Sequence, residues 1–449
     1  MLPPFRFFKP MFAARFVSLA AATLAAVWLA VVGVTAQRND AFQESRHHPA
    51  LKYGTTAPAD AIARLNARLE AGEVRLTHGG APRGYLPSAL EALGISPTSQ
   101  VLVYSQTSFQ ASHVAQANPR AIYFNDDVAV AFIRGAPLVE ISSQDPVLGT
   151  VFYQLSQTES PTPRFNRSET CLSCHLSWDT RAVPGPFVLS TFPRRSDRDY
   201  ANGGIVDHRE SLERRWGGWF VTGAEVPRRH MGNVPLVFAG ATSPEKAPPP
   251  PVLKTLAGAG LVRDEGDYLT PYSDIVALLV LEHQLHAMNL MTRAAWEHRL
   301  AERGSSNAPA PAAGPLSART LDAVDELVDY LLFVDEVPLG TVRGNAGFAE
   351  WFSAQGPKDA AGRSLRELQL NGRLMRYPLS YTVYSAAFEA LPAPVKGAVY
   401  QRLWEVLAGK DPRPKFAHLT RADRLAIIEI LRATRSGLPD GFASTAAVR

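Results

Sequence analysis

VLVYS (residues 101–105), AIYF (121–124), VAVAFI (128–133), LVEIS (138–142) and VFYQL (151–155) are five short runs rich in Val, Ile, Tyr and Phe. β-branched and aromatic side chains fit a pleated, half-buried surface. Asn125-Asp126, Gly135-Ala136-Pro137 and Asp145-Pro146 stand between the runs and supply turn chemistry. The stretch therefore reads as an antiparallel meander of about four or five strands. Before it, Ile62, Leu65 and Leu69 recur at helical spacing within residues 58–72, and Gly72 is a stop. After it, residues 158–250 are irregular and rich in Arg and Pro, and Pro248–Pro251 form a stiff spacer. Ser273 then offers an N-cap to a helix whose first turns, Ile275 to Leu281, are apolar all round and so expected to be buried. The stretch GSSNAPAPAAGP (304–315) has linker composition. Residues 317–336, 380–408 and 420–435 are amphipathic or apolar runs, so the C-terminal third is expected to be mainly helical.

The fold class expected is α+β. Residues 37–157 carry a helix and the meander, 158–303 an irregular segment with a buried helix, 304–316 a linker, and 317–449 a helical region. Length agrees with two or three units, since 449 residues is about three times a common domain size. Hydrophobic residues make up 46% and charged residues 20%, which excludes a disordered chain. No internal repeat is evident.

Residues 1–36 stand apart. Arg6, Lys9 and Arg15 precede an uncharged run from Phe16 to Gln37, and Val34-Thr35-Ala36 offers small residues at −3 and −1 of a cleavage site. The segment reads as an export signal or, uncleaved, as a membrane anchor, and its many alanines favour cleavage. It holds most of the formal net charge of +4, so the exported part is close to neutral. Neutrality removes the electrostatic case for a nucleic-acid partner.

Only two cysteines occur, which excludes a disulfide framework. They stand in Cys171-Leu172-Ser173-Cys174-His175, a C-x-x-C-H sequence. Two thiols three positions apart on a helical turn can reach both vinyl groups along one side of a porphyrin. A histidine directly after the second thiol then lies beneath the ring as an iron ligand. A thioredoxin-like dithiol prefers a βαβ setting, a structural zinc site needs about four ligands, and a local disulfide is the plainest alternative. Covalent haem attachment belongs to the extracytoplasmic side, which the export signal supplies independently.

On these five residues the chain resembles the c-type cytochromes. The resemblance implies one covalent haem c held through Cys171 and Cys174, with His175 as proximal ligand. Outside the motif the chain departs from small cytochromes c, which place haem near the start of a helical domain of about a hundred residues.

Candidates for a sixth ligand are Met231, 56 residues after His175 in a Gly-containing loop, and His283 on the buried helix. His230 and His208 are further candidates. Glu282, His283 and His286 also offer ligand types for a non-haem metal, but a second Glu-x-x-His and the HExxH pattern are both missing. Arg214-Arg215-Trp216-Gly217-Gly218-Trp219-Phe220 offers arginines for haem carboxylates and indoles for the ring, or else a strand with aromatic core residues. Trp178, three residues after His175, is placed for haem contact.

The function expected is electron transfer through an exported haem iron, with redox proteins of the periplasm as partners and a membrane tether if the N-terminal segment is retained. The alternatives are a haem-dependent oxidoreductase of peroxidase or oxygenase type with an open sixth position, and a haem-based sensor or partner-binding protein. Size favours the oxidoreductase over a mere carrier, whereas di-haem peroxidases carry two C-x-x-C-H motifs and this chain one.

Overall fold

The computed structural model describes residues 46–192, 203–236, 249–259, 268–303 and 315–443. The expected export segment and most of the expected linker (304–314) lie outside them. Met1–Gly54 form one unit, in which the described residues make a turn closed by Leu51 N–H on the His48 carbonyl (2.9 Å). Thr55–Arg449 form a second unit, in which the regions read from the sequence share one body.

Helix α1 spans Ala61–Glu70, and its N-cap Asp60 accepts from Ile62 and Ala63 N–H. Helix α2 follows at Leu86–Leu93. The meander is present and extends further than expected. Strands β1 (Val101–Val103), β2 (Arg120–Phe124), β3 (Val128–Phe132), β4 (Leu138–Asp145), β5 (Gly149–Ser156) and β6 (Phe165–Arg167) each pair antiparallel with the next. After the short helix α3 (Leu172–His175) and a hairpin of β7 (Val188–Thr191) and β8 (Gly203–Val206), β9 (Trp219–Phe220) adds antiparallel to β1. The sheet thus runs β6-β5-β4-β3-β2-β1-β9.

Alternation along these strands gives the sheet two unlike faces. Ala121, Tyr123, Val130, Val139, Ile141, Val151, Tyr153 and Leu155 are buried on one face. Tyr153 there donates to the Asp60 carboxylate (2.6 Å), which ties α1 to the sheet. Ile122, Ala129, Ala131, Glu140, Ser142 and Gln154 occupy the other face and are only half-buried.

Helix α4 (Ile275–Arg303) lies along that second face for part of its length: Gln144 donates to Thr292 (3.1 Å), and Gln284, Leu285 and Met288 line a small cavity with Ala129 and Ser142. Its opposite side meets α5 (Ala318–Leu331), where Tyr330 donates to the His283 carbonyl (3.1 Å). A helix sandwiched between two layers has no solvent face, which explains its all-round apolar start. It is long and apolar enough to cross a membrane, yet its most apolar window is wholly buried inside the protein.

The N-cap expectation needs correction. Asp274, not Ser273, accepts from Val276 (2.8 Å) and Ala277 N–H (3.3 Å). The Ser273 hydroxyl instead donates to the Phe220 carbonyl (2.6 Å) and accepts from Leu102 N–H (2.8 Å), linking β1 to β9. The C-terminal region is mainly helical as expected, with α6 (Phe348–Ala354), α7 (Ala386–Glu389), α8 (Ala393–Leu407) and α9 (Arg421–Thr434). It also holds a hairpin, β10 (Leu368–Asn371) and β11 (Arg373–Met375), that periodicity did not indicate. A large hydrophobic core joins residues from Val101 to Phe442, linking β1 and β9 to the helices, and Val114, Ile133 and Ala136 form a separate small cluster.

Candidate functional site

The C-x-x-C-H residues form a single helical turn docked on strand β5. Ser168 N–H bonds the Phe152 carbonyl (2.9 Å), and His175 N–H closes the turn on the Cys171 carbonyl (3.0 Å). Leu172 and Leu176 are buried and anchor the turn, while Cys171 is half-buried, Cys174 is exposed, and both are free thiols. Positions three apart on a helix lie on the same side, so the two thiols share a face. Burial pushes the Cys171 thiol pKa up, against a hydrogen bond from Ser168.

His175 is held from two directions. Its ring packs between Phe152 (centroids 4.9 Å apart) and Phe187 (5.3 Å). Its Nδ1 lies 3.1 Å from the Gly185 carbonyl, and Gly185 N–H returns a bond to the His175 carbonyl (2.9 Å). A carbonyl can only accept, so Nδ1 carries the proton and Nε2 keeps its lone pair for a metal. Burial lowers the His175 pKa to about 4, with the Gly185 bond opposing and the Arg120 charge assisting, so the ring is neutral at pH 7. The Gly185 loop is pinned in turn: Asn289 of α4 donates to the Pro186 carbonyl (2.9 Å), and Thr150 N–H to that of Pro184 (3.1 Å). One half-buried thiol, one exposed thiol and a neutral imidazole with an oriented lone pair are donor types that a covalent haem would use.

The half-buried face of the sheet adjoins this turn. Ala129, Ala131 and Ser142 form its floor, with Ala129 and Ser142 facing Gln284, Leu285 and Met288 of α4 across a small cavity. Arg120 and Glu140 stand at one end, 3.7 Å apart with side chains 18% exposed each, and Ser108 donates weakly to Glu140 (3.3 Å). Phe109 and Trp178 are unusually exposed for large aromatic residues, at 61% and 71%.

Met231 and His230 lie beside β9, where Met231 N–H bonds the Arg215 carbonyl (2.9 Å). Strand β9 is five strand spacings from β5, roughly 24 Å along the sheet. His230 Nδ1 accepts from Gly232 N–H (3.0 Å), and burial lowers its pKa to about 4. His283 points to the side of α4 away from the sheet. Its Nδ1 pairs with His208 Nδ1 (2.9 Å), its Nε2 with the Ser380 hydroxyl (2.7 Å), and its ring stacks on Phe333 (4.4 Å). Both of its nitrogens are thus engaged within the protein. His286 Nε2 accepts from Arg209 (3.0 Å), whose guanidinium also clamps Asp207.

The non-haem metal alternative gains no support, and one of the two readings of Arg214 to Phe220 needs correction. Glu282 does not join His283 and His286 in a metal site, because its oxygens accept from Arg215 (2.7 Å) and Trp216 Nε1 (2.9 Å). Among the described residues no group of three His, Cys, Asp or Glu side chains is placed to hold a metal ion. Arg215 is correspondingly unavailable to haem carboxylates: it is fully buried and also donates to the Glu210 (2.8 Å) and His208 (2.9 Å) carbonyls. Trp219 belongs to the strand of the alternative reading, with Nε1 on the Leu189 carbonyl (2.8 Å). Sequence reasoning missed Phe152, Gly185, Arg120 and Glu140. Strand alternation carried a signal for Arg120 and Glu140, since Arg120 immediately precedes the apolar run AIYF and Glu140 interrupts the run LVEIS. Searches among known protein families, curated proteins and solved structures found no match for the chain.

Proposed function

We propose that the chain is an exported c-type haem protein with one haem held through Cys171, Cys174 and His175, acting in electron transfer at its iron. The observation that carries the reading is the His175–Gly185 pairing, which sets the tautomer and aims a neutral Nε2 away from the backbone. Bound haem supplies one-electron chemistry at iron, tuned by its axial ligands and surroundings. The chain's own contributions are orientation of His175 by Gly185, packing of its ring by Phe152 and Phe187, and an adjoining face that excludes water from one side. Export and a place on the periplasmic side follow from the basic and uncharged N-terminal segment together with the covalent attachment.

A second reading, a haem-dependent oxidoreductase with an open sixth position, is favoured by one observation. Met231 is enclosed beside β9, and His283 has both ring nitrogens bonded inside the helical layers. Expression with c-type cytochrome maturation proteins tests both readings. Wild type is expected to keep haem stain on a denaturing gel, and Cys171→Ala with Cys174→Ala to lose it. A wild type without covalent haem refutes the proposal. Ready binding of cyanide or carbon monoxide selects the oxidoreductase, and indifference to them selects the carrier.

A further inference from the structure

Resting on the haem reading, we propose that Arg120 pairs with a haem carboxylate at the end of the half-buried sheet face beside the Cys171–His175 turn. Haem carries two carboxylates that its protein must neutralise or leave in water. A planar guanidinium matches a carboxylate with two parallel hydrogen bonds.

Arg120 is placed for that role and is underused without it. It begins strand β2, opposite Val103. Its Nε is buried without a hydrogen-bond partner, and its nearest carboxylate oxygen, on Glu140, is 3.7 Å away, beyond hydrogen-bond length. A mostly buried cation with an orphaned donor is costly unless another acceptor arrives. The site adjoins the motif through the sheet: Glu140 stands opposite Gln154 of β5, two residues along the same face from Phe152, on which the His175 ring packs. The arginines on the α4 side are already matched: Arg209 to Asp207, and Arg215 to Glu282. On the same face Ala131 stands opposite Glu140 and Glu140 opposite Gln154, so small and polar side chains line the way from Arg120 to β5.

The experiment uses full-length protein loaded with covalent haem, comparing wild type with Arg120→Gln, Arg120→Lys, Glu140→Gln and the exposed control Arg343→Gln. Resonance Raman spectra report hydrogen bonding of the haem carboxylates through their bending band. That band is expected to shift in Arg120→Gln, to recover partly in Arg120→Lys, and to stay in place in Arg343→Gln. The reduction potential is expected to fall in Arg120→Gln, because loss of a positive charge makes added negative charge less favourable, and to rise in Glu140→Gln. General damage to the fold would move both potentials the same way. An unchanged carboxylate band in Arg120→Gln, or potentials of Arg120→Gln and Glu140→Gln shifting together, overturns this inference while the haem reading stands. Wild type without covalent haem overturns the haem reading and this inference with it.

Discussion

Gly185 is the point at which the candidate site tolerates least change. A Cβ at this position would overlap the Asn289 carboxamide, and Asn289 cannot swing away without releasing the Pro186 carbonyl. Gly185→Ala is therefore expected to push the loop off α4 and weaken the Nδ1–H bond that orients His175. Overpacking of this kind costs about 1–3 kcal/mol. Urea unfolding of Gly185→Ala should show that loss, and Gly185→Ala with Asn289→Ala should recover part of it because the clash is gone. Equal stability of wild type and Gly185→Ala would show that the loop does not depend on its contact with Asn289. The sequence marked Cys171, Cys174 and His175 as candidates because the C-x-x-C-H pattern rests on spacing alone. Gly185, ten residues on, carried no such mark: its role comes from a helix a hundred residues later. Arg215 was misread for the same reason, since its partner Glu282 lies 67 residues away and no local pattern announces the pair.

Helix α4 shows how far an element can be read from its own residues. Its apolar start predicted burial, and burial is what the structure gives, but which histidines it turns towards which layer was set by α5 and the sheet. His283 now has a different consequence from ligation. Burial lowers its pKa to about 3, and the Nδ1–Nδ1 bond to His208 requires one protonated and one bare nitrogen. An unfolded histidine titrates near 6.5. Between these values the unfolded chain takes up a proton that the folded chain excludes, so stability falls as pH falls, by about 1.4 kcal/mol per pH unit. His283→Gln is expected to be less stable than wild type at pH 7.5 by about 1–3 kcal/mol, from broken buried hydrogen bonds. Glutamine does not titrate, so wild type should lose about 2 kcal/mol of that advantage between pH 6.5 and 5. Urea unfolding of both proteins at pH 7.5 and 5.0 measures the gap. A gap independent of pH would mean that His283 is not held neutral in the folded protein.

At the scale of the whole molecule, the regions marked out by composition do not separate. The strand at Trp219–Phe220 returns from the irregular segment to the edge of the meander, and α4 packs on the sheet and on α5. Length alone suggested two or three units because composition records linkers but not the contacts that cross them. Arg366, from the C-terminal region, makes the crossing concrete. It forms a bidentate pair with Asp126 in the β2–β3 turn (2.9 and 2.7 Å) and lies over the rings of Phe352 (4.4 Å) and Tyr381 (4.5 Å). The Arg366 side chain is only 4% exposed, whereas Asp126 is 41% exposed, so water softens the loss at the acidic end. Arg366→Met is therefore expected to cost about 2 kcal/mol, typical of a lost charged hydrogen-bond pair with its stem packing kept. Because one core joins sheet and helices, that cost should reach both ends of the molecule. The unfolding midpoint followed by helical circular dichroism and, in protein loaded with the proposed haem, the midpoint followed by haem absorbance should fall together and by equal amounts. A fall in the helical signal alone would show the C-terminal helices melting independently, and the shared core would then not couple the two halves.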